Sequence, residues 1–339
     1  GMQQRGTERQ PRQRPMAPRL PRQSAHPHPP PITMKLATYQ DGSRDGQLVV
    51  VSRDLSTAHY ASGLATRLQQ VLDDWNFLSP QLEDLSTTLN QGKARHAFPF
   101  DPRRCAAPLP RAFQRVEAAP ALLGVGGDAG LTLRQHSGDD LCGPCAPIDG
   151  RHVGSGLDVA GGLAVITGDV AAGVSPAEAL EGVRLVVLVA DTCRREGDAC
   201  AGDRLGCAFA PVAVTPDELG AAWQGGRVAL NLEFTRNGKR LGLVDAAAGT
   251  TASFGTWVAR LARLRPVHAG SIVASGELRA GDGSRGFASL AARRASELAD
   301  LGAPRTDWLQ PGDLLRFDIK GAEGQSVFGA IDRQVVLED

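Results

Sequence analysis

The chain has no long apolar run. None approaches the roughly 18–20 residues that a membrane-spanning helix needs, so no membrane partner is expected. It also lacks net charge: 37 Lys and Arg balance 37 Asp and Glu. The balance is uneven. Residues 1–33 hold six arginines against Glu8 alone, which is +5 and leaves −5 for the rest. A folded part of that sign gives no reason to expect nucleic acid as a partner. There is no apolar h-region of a secretory signal, so a cytoplasmic chain with reduced thiols is expected. No repeat of 20–50 residues is present, which excludes solenoids and propellers. The glycine-rich strings "GVGGDAG" and "GSRG" lack the strand-to-helix setting that a phosphate loop requires.

What is there reads as a soluble globule, 42% hydrophobic and 22% charged, long enough for one large or two modest domains. Residues 1–33 are rich in Pro, Arg and Gln and poor in core formers, so they are expected to be disordered. A small β-rich domain is expected over residues 34–110 and a larger one over 111–339, with Pro-rich 98–111 as linker. "LATYQDGSRDGQLVVVS" reads as two strands and a turn. "LATRLQQVLDDW" has helical spacing, and Ser79-Pro80 reads as the start of a second helix. Ser175-Pro176-Ala177-Glu178 and Thr215-Pro216-Asp217-Glu218 read as capping boxes. "RLVVLVAD" is an apolar strand expected at the centre of a sheet, ending at Asp191. Asn237-Gly238 marks a hairpin, and "GDLLRFDIKG" with "SVFGAIDRQVVL" marks another.

Six cysteines occur. The string "CGPC" at 142–145 is spelled like a redox site. Such a site opens a helix, whose N-terminus lowers the thiol pKa. Here Asp139 and Asp140 precede it and Pro147 and Gly150 follow, which is loop chemistry that raises a thiol pKa. Cys193, Cys200 and Cys207 could join Cys142 and Cys145 at a zinc ion, but the spacing matches no common finger.

One string poses a question. In "GSGLDVAGGLAVITGDV" a well-formed strand, Leu163 to Ile166, is headed by Ala160-Gly161-Gly162, which carry almost no side chain. Glycine there weakens a strand by roughly 0.5–1 kcal/mol relative to alanine.

The order of several strings resembles the bacterial branch of the fumarylacetoacetate hydrolase family. They are "MKLATYQDGSRDGQLVVVSRDL", "FPFDPRRCAAPLPRAFQ", "GLDVAGGLAVITGDV", "SPAEALEGVRLVVLVAD", "FAPVAVTPDELG" and "GDLLRFDIKG". The resemblance covers residues 34–337. It implies a mixed α+β, β-rich fold, a β-sandwich roll with a small N-terminal domain, and a homodimer. It also implies hydrolysis of a carbon–carbon bond in a small 1,3-diketo acid with Mg²⁺ or Ca²⁺. Hard cations of this kind take oxygen ligands. The family supplies an Asp, an E-x-E pair on one strand face, and a later Asp, together with a His–Glu dyad and a basic side chain.

Carried over by resemblance, the E-x-E pair falls on Ala160 and Gly162, so the strand head is a pair of lost ligands. The later Asp is kept as Asp191, Glu117 stands near the first, and Arg204 keeps the basic position. The family's Thr becomes Glu277, the dyad's Glu becomes Ala292, and no His lies in "VEAAPALLGVGGDAGLTL". His136 and His152 are expected to face solvent, and Glu117 and Glu277 read first as solvated carboxylates. Two functions follow: a family hydrolase with reduced or lost activity, or an inactive member acting as a binding or hetero-oligomeric partner. In either, Asp191 and Glu117 are the metal-ligand candidates and Arg204 the catalytic one.

Overall fold

The computed structural model describes residues 30–119, 131–196, 203–279, 281 and 283–337. Residues 1–29 and Cys200 lie outside them, so the expectations made for these are not addressed. Residues 32–339 form one compact unit.

The apolar alternation of the first strings builds β1 (Lys35–Tyr39) and β2 (Gln47–Val51), paired antiparallel with Lys35 opposite Val51. β3 (Thr57–Tyr60) and β4 (Phe98–Pro99) extend that edge. Helices α1 (Leu68–Asp73) and α2 (Trp75–Asn90) follow β3. The helix expected to open at Ser79-Pro80 opens instead at Trp75, with Ser79 buried and Pro80 inside it. The interruption falls at Asp74, where φ is −130° and ψ 48°. The buried stripe Trp75, Leu78, Leu82, Leu89 runs through Pro80. Packing thus carries the helix across a proline that removes one backbone bond.

The rest of the chain runs β5 (Arg115–Ala118), β6 (Leu133–His136), β7 (Leu141–Cys142), β8 (Ile148–Asp149), β9 (Leu157–Thr167), α3 (Pro176–Glu181), β10 (Val183–Arg194), β11 (Asp203–Phe209) and β12 (Ala213–Val214). Then come β13 (Trp223–Gln224), β14 (Arg227–Val228), β15 (Asn231–Arg236), β16 (Lys239–Asp245), α4 (Phe254–Leu261), β17 (Ile272–Ala274), α5 (Leu290–Leu301), β18 (Leu314–Ile319) and β19 (Ile331–Val336). Among the described residues, twelve strands form one sheet in the order β4-β3-β2-β1-β12-β10-β9-β17-β5-β6, with β11 on β10 and β7 on β11. A second sheet of five runs β16-β15-β18-β19-β8. The fold is β-rich mixed α+β, as the resemblance implies.

Ser175 caps α3 as expected, its hydroxyl accepting from the Glu178 amide while Glu178 reaches back. Thr215 does not cap the turn at 216–222. Its hydroxyl instead accepts from the Met34 amide at 3.1 Å, which ties β1 to β12. Asn237 and Gly238 take φ of 51° and 76°, the left-handed pair of a two-residue hairpin.

Asp191 lies inside β10, which runs on to Arg194. Ala160-Gly161-Gly162 likewise sits in the middle of β9, not at its head. Each glycine there has a steric reason. A Cβ on Gly161 would lie 2.7 Å from the ring of Phe317, which stacks on Phe234 at 4.4 Å between the two sheets. A Cβ on Gly162 would lie 2.4 Å from the carbonyl oxygen of Gly276. Gly276 turns with φ of 74° just past β17, and Ser275 Oγ bridges its carbonyl to the Leu163 amide.

Candidate functional site

Alternation on two short strands sets the site. Arg115 and Glu117 are two apart on β5, so they share a face. On β6, His136 lies opposite Arg115 and Arg134 opposite Glu117. Asp191 on β10 pairs across to Ala160 on β9 and to Cys207 on β11. Arg204 comes from the start of β11.

These residues form a chain of alternating charge. Arg204 Nη2 donates to Glu117 Oε2 at 2.6 Å, and its Nη1 lies 2.8 Å from Asp191 Oδ2. Arg115 donates to Asp191 Oδ1 at 3.4 Å and to Asp140 Oδ1 at 3.3 Å, with its Nε on the Ser137 carbonyl. His136 Nε2 lies 3.0 Å from Glu117 Oε2. The carboxylates are buried, Glu117 at 5% exposure and Asp191 at 5%. Burial pushes Glu117 up, but the adjoining His136 imidazole and the Arg204 charge outweigh it and hold it at about 2. Burial pushes Asp191 up, against the pull of Arg204 and with the push of the Glu117 charge. Burial opposes the charge on Arg204, yet the two carboxylates more than offset it and raise its pKa.

A second network lies beside the first. Asp158, fully buried on β9, accepts from the Leu290 and Ala291 amides at 2.9 and 3.0 Å and so caps α5. Arg195 donates to it at 3.1 Å and lies 3.7 Å from Glu277, which also pairs with Arg279 at 2.6 Å. Ala292 sits in the first turn of α5, its amide donating to Ser289 Oγ.

The two networks meet at a cavity of about 290 Å³. Its wall includes Glu117, Arg134, Ala160, Arg195, Arg204 and Glu277. Glu117, Arg204 and Asp191 are therefore brought together, with Glu117 and Arg204 on the cavity wall and Asp191 held behind them by Arg204. His136 does not face solvent. It stands on β6 against Glu117, with 14% of its side chain exposed. Nor are Glu117 and Glu277 solvated: each is ion-paired, and the Glu277 side chain is 10% exposed. His152 lies in the turn at 150–152, outside this wall. Cys193 does line it, and burial pushes its thiol up to about 12. Burial also pushes Cys142 and Cys145 up, the reverse of an activated redox pair.

Arg115, Asp158, Arg195 and the His136 pairing went unread in the sequence. The signal for Arg115 was present: "RVE" alternates charged side chains about the buried Val116.

Residues 34–111 match the model "Fumarylacetoacetase N-terminal domain 2", and residues 135–336 match "Fumarylacetoacetate (FAA) hydrolase C-terminal". The chain belongs to the fumarylacetoacetate hydrolase family. No curated protein matches it. Among solved structures it is similar to a maleylpyruvate hydrolase from Sphingobium sp. SYK-6, at 17% identity and a TM-score of 0.64, covering 90% of this chain and 100% of that one. A fumarylacetoacetate hydrolase from psychrophilic Exiguobacterium antarcticum matches at 19% and 0.61, covering 90% and 100%. A probable 2-hydroxyhepta-2,4-diene-1,7-dioate isomerase from Mycobacterium abscessus matches at 17% and 0.62, covering 91% and 99%. The Sphingobium hydrolase has also been solved with manganese(II) and pyruvate.

A divalent metal, as the family implies, does not fit the residues present here. Ala160 offers no oxygen ligand, and Gly162 has no room for a side chain. The oxygens of Glu117 are engaged by Arg204, and those of Asp191 by Arg204 and Arg115. Among the described residues, no group of three or more His, Cys, Asp or Glu is placed to hold an ion.

Proposed function

We propose that this chain is a family member in which metal-dependent carbon–carbon hydrolysis is reduced or lost, and whose cavity is kept as a binding site for a small diketo or related acid. The observation that carries the reading is Arg204 seated on Asp191 and Glu117, beside a strand that bears Ala160 and Gly162. A guanidinium has donors only and no vacant coordination position. It can neutralise carboxylates and hydrogen-bond an acid, but it cannot act as a Lewis acid on a substrate carbonyl. Arg134, which makes no ion pair among the described residues, stands on the cavity wall as a further carboxylate partner. We also propose a homodimer, from the family resemblance.

The test is hydrolysis of an acylpyruvate and of fumarylacetoacetate by the purified chain, with and without added Mg²⁺ or Mn²⁺, beside an active family hydrolase. Rates near the uncatalysed background are expected in every condition. Metal-stimulated turnover comparable to the control would refute the reading.

A further inference from the structure

The disagreement between this site and a metal centre has a definite form. It is an exchange of one cation for another. Two carboxylates from different strands, Asp191 on β10 and Glu117 on β5, converge on one guanidinium from a third, β11. The contacts are bridging: Nη1 reaches Asp191 Oδ2 at 2.8 Å and Glu117 Oε1 at 3.5 Å, while Nη2 reaches Glu117 Oε2 at 2.6 Å. Nothing in the local backbone demands two buried acids 74 residues apart in sequence (191 less 117). Neither is needed to cap a helix or close a turn, and each would be costly if left alone.

We infer that the Arg204 guanidinium is a built-in replacement for a divalent cation, and that shortening it uncovers a site for a hard divalent ion held by Asp191 and Glu117. The inference rests on the reading that this cavity is a former metal site.

The charges support it. Asp140, Asp191 and Glu117 bring three negatives, against Arg115 and Arg204. Without the Arg204 head, the two buried carboxylates are left with Arg115 on Asp191 and His136 beside Glu117. Mg²⁺-type ions keep several waters and take one or two carboxylates from the protein, so two converging carboxylates supply the protein's share of a site that Arg204 now occupies. Beside Asp191, Ala160 presents only a methyl group, which leaves room for those waters. With Arg204 in place, the same ion meets a fixed positive charge within contact distance of both ligands. That repulsion is strong in a buried site.

The experiment compares the parent with Arg204→Ala, Arg204→Gln, and the double variant Arg204→Ala with Asp191→Asn. Mn²⁺ alone is the probe, read by calorimetry, by the paramagnetic resonance of the bound ion, and by melting in chelator or in Mn²⁺. Arg204→Ala should bind Mn²⁺ at least about tenfold more tightly than the parent. It should melt below the parent in chelator and recover with Mn²⁺. Arg204→Gln removes the charge with less loss of packing and should show the same gain if the alanine variant folds poorly. The double variant should lose the gain. Equal Mn²⁺ affinity in the parent and both single variants would overturn the inference, and so would a gain that survives loss of Asp191. Metal-free hydrolysis by the parent would sink the reading under Proposed function but leave this exchange intact. Tight Mn²⁺ binding with Arg204 present overturns the exchange whatever the turnover.

Discussion

Gly162 limits what a single residue can restore. On the sequence alone, glutamates at Ala160 and Gly162 would rebuild the family pair, since both positions share a strand face. The Gly276 carbonyl, 2.4 Å from where a Cβ would sit, closes the second of these positions. Gly162→Ala should lower stability by about 1–3 kcal/mol through overpacking, read from a urea midpoint. An unchanged midpoint would show that the segment after β17 yields. Glu117 makes a pH prediction. Its pKa is depressed from 4.5 to about 2, so its stabilising contribution is present above about 4.5 and is lost as pH falls from there toward 2. Asp191, whose pKa burial raises, acts with the opposite sign, costing stability as pH rises above the ordinary carboxylate value of 3.8. Glu117→Gln should therefore flatten the acid limb of the stability curve, and an acid limb identical to the parent's would refute the assignment. At this scale the sequence shows residue types but not their partners. Arg204, Asp191 and Glu117 could be named because the family motif marks their places. Arg115 and His136 could not, because what they touch is set by β5–β6 pairing and by β10, 76 residues beyond Arg115.

At the scale of elements, most of what reads from the sequence is local chemistry. The Ser175 box and the Asn237-Gly238 hairpin depend on residues within a few positions of each other, and both form. Ser175→Ala should destabilise the chain by about 1 kcal/mol in a thermal or urea melt. A change within error would mean that packing alone holds α3. The misreadings are tertiary. Pro80 lies within a helix because an apolar stripe spans it, and Thr215 serves β1 instead of a cap. The join between β9 and α5 was not legible at all, because Asp158 caps a helix 132 residues away. Asp158→Ala leaves Arg195 buried and two amides unpaired, so it should cost about 3–5 kcal/mol. A loss below about 1 kcal/mol would mean that water or Glu277 replaces it.

At the scale of the whole molecule, fold and chemistry part company. The two family models and the neighbouring structures agree on the architecture, while the side chains at the cavity differ from a metal site. Fold class was legible from the order of motifs, but a fold carries many functions and only the site decides among them. The proposed homodimer should scatter light as twice 35.6 kDa, and a mass of one chain at working concentration would contradict it. The central claim, that Arg204 fills the cation's role, is tested most directly by titrating the unmodified chain with Mg²⁺ and Mn²⁺ in a calorimeter, without substrate. No heat of specific binding is expected for either ion. Stoichiometric binding at micromolar concentration would contradict it.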